Sequence, residues 1–144
     1  RVHELLPTSD GWLVAAPYEY TGTKANTKGY KKSDIAGDYE FVIHDKLTYF
    51  KGPKKVTDKK STDYRGVNKP MNITLKANGT ITGDATGTWD IPNGTNQFTM
   101  KLNNDGEEVT YTGDFDKLPR DKDRKDVMTF SVLGNNICAW GSKK

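Results

Sequence analysis

The runs Tyr111-Thr-Gly-Asp-Phe-Asp, Val127-Met-Thr-Phe-Ser-Val-Leu and Ile137-Cys-Ala-Trp-Gly-Ser-Lys decide the fold class. Apolar residues recur in them with a period of two, the period that sends alternate side chains to opposite faces of a strand. Met128, Phe130 and Val132 share one face. Gly134-Asn-Asn supplies a tight turn, across which Cys138 and Trp140 are expected to pair with them on the inward side.

Further toward the N-terminus the same alternation repeats. Asn104-Asp-Gly turns from Phe98, Met100 and Leu102 into Val109, Tyr111, Gly113 and Phe115, and Leu118 to Asp126 reads as a charged connection. Gly87-Thr-Trp-Asp-Ile ends at Pro92-Asn-Gly. Met71, Ile73 and Leu75 share a face, and Asn78-Gly79 reads as a two-residue turn into Thr80–Asp84. In Gly37-Asp-Tyr-Glu-Phe-Val-Ile-His, Tyr39, Phe41 and Ile43 alternate, with Leu47 to Phe50 as a short partner. Eight or nine short strands joined by hairpin turns, without a convincing helix, predict an all-β domain: a small antiparallel β-barrel, with a β-sandwich as the alternative. Gly83, Gly87 and Gly113 suit bends where a small barrel closes. Trp89, Phe98, Tyr111, Phe130 and Trp140 are expected in the core, and so bulky an interior argues against a hollow barrel for small ligands.

Upstream of the barrel the pattern is weaker. Residues 1–22 form an N-terminal strand segment around Trp12-Leu-Val-Ala-Ala, stopped by Pro17. Residues 23–34 are polar and cationic and read as a linker. Residues 35–144 form the barrel. A 144-residue chain suits one domain with a real core. The 22 basic and 19 acidic residues nearly cancel, leaving +3, which is not the field of a nucleic-acid binder. No apolar run approaches the roughly 20 residues of a membrane span. One cysteine forms no internal disulfide.

Asp10-Gly-Trp-Leu-Val-Ala-Ala-Pro-Tyr-Glu-Tyr-Thr-Gly resembles the segment by which the endo-α-1,5-arabinanases of glycoside hydrolase family 43 leave their catalytic propeller. There a Gly-Trp-Pro-Val-Val-Ala-Pro stretch precedes an aromatic and a glycine turn; Leu13 stands here where proline is common. Gly37-Asp-Tyr, Gly87-Thr-Trp, Tyr111-Thr-Gly, Val127-Met-Thr-Phe-Ser and Ala139-Trp-Gly-Ser-Lys resemble, in order, the strands of the C-terminal β domain of these bacterial enzymes. The resemblance implies a lipocalin-like accessory barrel, residues 1–22 as the propeller exit, and a secreted, extracellular parent. It also implies that the catalytic carboxylates lie in the propeller, so no catalytic residue is carried over. Two roles follow from it. One is a non-catalytic carbohydrate-binding module with polysaccharide (arabinan, pectin side chains or xylan) as partner. The alternative is a domain that braces the catalytic propeller of the same polypeptide and binds no sugar itself.

The residues themselves add little catalysis. There is no nucleophile elbow, P-loop or dinucleotide fingerprint, and nothing calls for a cofactor. Asp84, Asp90, Asp114 and Asp116 read as strand-end or turn residues, where Asp bonds locally. Cys138 reads as a buried thiol, His44 as a solvated strand end and His3 as part of a loose terminus. Asp121-Lys-Asp-Arg-Lys-Asp126 lacks a calcium loop's glycine and reads as a solvated turn, so no metal is expected.

Aromatic faces and amide or charged partners are what a sugar needs. Such residues flank or occupy the long 51–70 segment without an evident core role. Tyr49, Phe50 and Tyr64, with Asn68 and Lys69, are therefore the expected carbohydrate platform. Lys51, Lys54, Lys55, Lys59 and Lys60 would draw in an anionic polysaccharide. Tyr18, Tyr20 and Tyr30 lie near the linker, and Trp12 is expected against the barrel or the propeller.

Overall fold

The computed structural model describes residues 2–22, 26–44, 70–104 and 106–144. Among them β1 (Leu5–Pro7) and β2 (Leu13–Ala15) form a two-stranded hairpin. A single helical turn, α1 (Lys32–Ile35), leads into the barrel. The barrel strands are β3 (Gly37–Ile43), β4 (Met71–Leu75), β5 (Thr80–Gly83), β6 (Thr86–Asp90), β7 (Gln97–Asn104), β8 (Glu107–Pro119), β9 (Asp126–Gly134) and β10 (Ile137–Lys143). Each pairs antiparallel with its chain neighbours, and β10 closes the ring onto β3. The expected barrel, rather than the sandwich, is what forms. Closure leaves its sheet without an edge.

The interior is solid. Tyr39, Phe41, Ile73, Leu75, Phe98, Met100, Leu102, Phe115, Phe130 and Val132 are all essentially inaccessible. Phe98 and Phe115 lie 4.2 Å apart between ring centroids, and Phe130 meets both at 5.5 Å in edge-on contact. Tilted and edge-to-face rings add a further fraction of a kcal/mol per pair, about 0.5–1.5, to their area burial. Trp89 is buried as expected, its indole N–H donating to the Lys76 carbonyl at 2.9 Å.

Two readings change. Trp140 and Cys138 do not point inward. In the β9–β10 register Phe130 faces Gly141 and Val132 faces Ala139, while Trp140 faces Ser131 and Cys138 faces Leu133. Directly paired residues share a face, so the inward positions of β10 are the two small ones. The reason is volume: a Cβ on Gly141 would lie 2.1 Å from the Phe130 ring. A second large ring opposite Phe130 has no room. Gly113 marks a similar squeeze, since a Cβ there would meet the Ser131 carbonyl oxygen at 2.0 Å.

The β4–β5 turn also differs from the expected two-residue Asn78-Gly79 form. Gly79 N–H donates to the Lys76 carbonyl, Lys76 N–H to the Thr80 carbonyl, and Gly79 alone takes positive φ (+89°). This is a three-residue loop whose last residue sits in the left-handed region, the glycine position of such hairpins. The Asn135-Asn136 turn has positive φ at both residues (49° and 60°), as a two-residue hairpin turn requires.

The hairpin lies on the outer wall of the barrel. Leu6, Val14 and Ala16 are buried with Leu118 of β8 in a second, smaller apolar cluster, flanked by Tyr18 and Leu133. Ala16 N–H donates to the Glu4 carbonyl and Tyr20 N–H to the Val2 carbonyl, which extends the hairpin pairing beyond its strands.

Candidate functional site

The five residues expected to form a carbohydrate platform, Tyr49, Phe50, Tyr64, Asn68 and Lys69, lie outside the described residues, as do the lysines of the 51–60 run. The described surface offers two other concentrations of chemistry, both beside the hairpin.

The first is an acidic layer beneath it. Read from the sequence, Asp114 and Asp116 fall at strand ends or turns. They sit instead within the 13-residue β8, on its outward face, and both are buried. Inward Tyr111, Gly113 and Phe115 alternate with outward Thr112, Asp114 and Asp116, and the hairpin roofs the outward set. Asp116 Oδ1 accepts from the Tyr30 hydroxyl at 3.1 Å and the Lys117 N–H at 2.8 Å. Thr129 Oγ1 donates to the Asp116 carbonyl. Burial, then the neighbouring Asp116 and Glu4 carboxyls, push Asp114 up to about 7. Burial raises Asp116 and Glu4 too, and Asp116 pushes Glu4 further. Burial and the Asp116 charge take Tyr30 up to about 12. Glu4 Oε2, Asn96 Oδ1 and Ser131 Oγ are buried without a protein hydrogen-bond partner. Burying polar groups without partners costs free energy, and the layer carries that cost. Asp114 and Asp116 also line a cavity of about 350 Å³ with Asn26, Thr27 and Thr95. In all three carboxyls burial shifts the balance toward the protonated form, and for Glu4 and Asp114 the neighbouring Asp116 adds to it.

The second is a groove of about 520 Å³ between the hairpin and the outer faces of β3 and β10. Its floor is two cross-strand pairs, Trp140 opposite Val42 and Ser142 opposite Glu40. Its wall is Ala15 to Tyr18 with His3. The Trp140 indole N–H donates to the Ala15 carbonyl at 2.9 Å, and the His44 ring stands edge-on to it at 5.7 Å. The Tyr18 hydroxyl donates to Ser142 Oγ at 2.9 Å. His3 Nδ1 lies 2.9 Å from the Ala16 carbonyl oxygen, so His3 is tied to the hairpin rather than loose. His44 is tied to Trp140 rather than simply solvated.

Sequence reasoning missed both places. A signal existed for the first: with Phe115 inward, Leu118 falls on the outward face, and a leucine there announces a covered wall. The groove had no such signal, because Trp140 was assigned to the wrong face.

The charged loop is a solvated turn, held by an Arg120–Asp123 ion pair of 2.7 Å. Among the described residues no group of three His, Cys, Asp or Glu is arranged to hold a metal ion. No described helix is long and apolar enough to cross a membrane.

A family profile described as the C-terminal lipocalin-like domain of glycoside hydrolase family 43 matches residues 17–141. Extracellular endo-α-(1→5)-L-arabinanase 2 of Bacillus subtilis is 38% identical over 144 residues, 99% of this chain and 26% of the relative. The extracellular endo-α-(1→5)-L-arabinanase of Thermotoga petrophila is 30% identical over 142 residues, 98% of this chain and again 26% of the relative. Among solved structures, a family 43 glycoside hydrolase from Bacillus licheniformis superposes with a TM-score of 0.74 at 35% identity, covering 99% of this chain and 28% of that one. The T. petrophila endo-1,5-α-L-arabinanase gives 0.80 at 28% identity, covering all of this chain and 28% of that one. The chain thus spans about a quarter of the length of the curated relatives it matches. The hairpin lies within these matches but ahead of the family profile.

The acidic layer sets a pH dependence. Folded Asp114 holds its proton up to about pH 7, whereas an unfolded aspartate releases it near 3.8. The folded state therefore binds more protons between those values, and stability falls as pH rises from about 4 to about 7. Urea unfolding of Asp114→Asn should show a flatter profile, with a gain on the order of 1–3 kcal/mol over the parent at pH 8 and little change at pH 4. Parallel profiles for the two proteins would contradict the assignment.

Proposed function

The chain belongs to the C-terminal lipocalin-like domains of glycoside hydrolase family 43, and from that premise we propose that it is the accessory domain of a secreted arabinan-degrading enzyme and braces that enzyme's catalytic propeller. It matches the relatives only through this non-catalytic C-terminal domain. The two curated relatives are named as extracellular arabinanases, which supports both secretion and the polymer.

One observation carries the bracing role. The hairpin buries Leu6 and Val14 against the barrel and turns Leu5 and Leu13 to solvent, 59% and 60% exposed. Trp12 (61%) and Val2 (68%) are exposed with them on the same short segment. An outward cluster of large apolar residues marks an interaction surface. It lies on the part of the chain that precedes the family profile, next to where the relatives carry the other three-quarters of their length.

In the enzyme bearing this chain, Leu5→Ser with Leu13→Ser should lower the thermal midpoint and split one unfolding transition into two. The 144-residue chain alone should keep its midpoint within about 2 °C, because both side chains are already exposed. An unaltered transition in the whole enzyme would refute the bracing role.

A second reading keeps a sugar-binding role, and the aromatic and amide composition around the 51–70 segment supports it. We propose Tyr49, Phe50 and Tyr64, with Asn68 and Lys69, as a polysaccharide platform. In affinity electrophoresis on arabinan, Tyr64→Ala should migrate faster than a retarded parent. Equal retardation removes Tyr64 from the platform.

A further inference from the structure

We propose that the groove between the hairpin and the β3–β10 face is a separate binding site for a short, neutral arabino-oligosaccharide, with Trp140 and Tyr18 as its aromatic surfaces and Glu40, His3 and Ser142 as its polar edge. It rests on the reading that the parent enzyme acts on arabinan, and it is independent of the Tyr49–Lys69 platform.

Trp140 forms part of the groove floor. A tryptophan on the outer face of a barrel strand normally tucks against its neighbours or finds a partner for its N–H. Here the N–H is spent on the Ala15 carbonyl, and the ring edge is held by His44. The remaining ring surface lines the groove and is half-buried. Tyr18 is fixed in the same way, its hydroxyl committed to Ser142. Both rings are anchored before any ligand arrives, so binding need not freeze them, and that preorganisation favours affinity. Their N–H and O–H groups are occupied, so what they present is apolar ring surface. Such surface suits the C–H side of a sugar ring.

The polar edge then selects the ligand. Glu40 is paired with Ser142 across β3 and β10 and is exposed at the groove. His3, also exposed, is fixed through Nδ1 at the opposite wall, leaving its other ring nitrogen available for a hydroxyl. A carboxylate accepting from vicinal hydroxyls is the stronger, charge-assisted kind of hydrogen bond. Among the described residues no lysine or arginine lines the groove and its one acid is Glu40, while the Arg120 charge acts on both Glu40 and Tyr18 from beside it. Glu40 as the one lining acid disfavours a uronate chain relative to a neutral polyol. The volume, about 520 Å³, falls within the range of small-ligand sites and leaves room for more than one sugar ring. The outward position of Trp140 creates the site: were it inside the barrel, as its alternation with Cys138 suggested, the floor would be featureless.

The test uses the full 144-residue chain and three probes: α-1,5-arabinohexaose, xylohexaose and polygalacturonate. Isothermal titration is combined with the indole Nε1–H signals of Trp12, Trp89 and Trp140 in nitrogen–proton correlation spectra. Arabinohexaose should bind and shift the Trp140 signal while leaving Trp89 in place, and polygalacturonate should not bind. Trp140→Ala should weaken binding at least tenfold and Glu40→Gln at least threefold. Tyr18→Phe, which keeps the ring and frees Ser142, should change it less than threefold. Circular dichroism identifies any variant that fails to fold, and Glu40→Gln, at an exposed position, keeps the test open if Trp140→Ala does. Arabinohexaose binding that is unchanged in Trp140→Ala or Glu40→Gln would overturn the groove while leaving sugar binding by the domain intact. Absence of binding to arabinohexaose would overturn both. Tighter binding of polygalacturonate than of arabinohexaose would overturn the charge argument and the site with it.

Discussion

The closure of the barrel rests on one contact, the Phe130 ring lying over Gly141. Gly141 is paired with Phe130 on one side and Phe41 on the other, and the two rings approach to 5.7 Å across it. A backbone without a side chain lets two large rings meet where β10 joins β9 to β3. The rings in turn cover the glycine from the inside, a device that compensates for the lost side chain in a strand. Because a strand's side chains alternate, this choice fixes every other position of β10. Ala139 goes in, while Trp140 and Ser142 go out.

What the outer wall does follows from that parity. On β10 the outward residues floor a groove. On β8 and β9 they are Asp114, Asp116, Thr129 and Ser131, and they would be an ordinary polar surface were it not for the hairpin. Docking Leu6 and Val14 beside Leu118 and Leu133 gains apolar burial and encloses the acids at the same time. The raised carboxyls record that compromise: the small apolar cluster holds the hairpin down against the cost of burying them. The same hairpin then presents Leu5 and Leu13 outward, so one two-stranded element has a face for the barrel and an exposed apolar face, the one proposed to meet the propeller.

Much of the barrel was legible in the sequence because its inward sets are strict alternations of large apolar residues: Tyr39 and Phe41, Ile73 and Leu75, Phe98 to Leu102, Met128 to Val132. Alternation gives two faces and does not say which is inside. For β10 the heavier face, Cys138 and Trp140, was the natural choice, and the opposing Phe130 overruled it by volume. Asn78-Gly79 was read as a turn of the right place and the wrong length, since the glycine serves equally as the last residue of a longer loop. The acidic layer was hidden because the burial of Asp114 comes from a hairpin more than 90 residues away in sequence, and no local pattern encodes that. The platform proposed for Tyr49, Phe50, Tyr64, Asn68 and Lys69, which lie outside the described residues, rests on composition and resemblance.

The parity of β10 sets Gly141 beneath Phe130 and Trp140 outside. Nuclear Overhauser spectroscopy on the folded chain measures it most directly. Contacts are expected from the Phe130 and Phe41 ring protons to the Gly141 α-protons, with those α-protons shifted well upfield by the rings, and from the Trp140 indole to Ala15 and His44. Contacts between the Phe130 ring and the Trp140 indole, with Gly141 α-protons at ordinary positions, would contradict it.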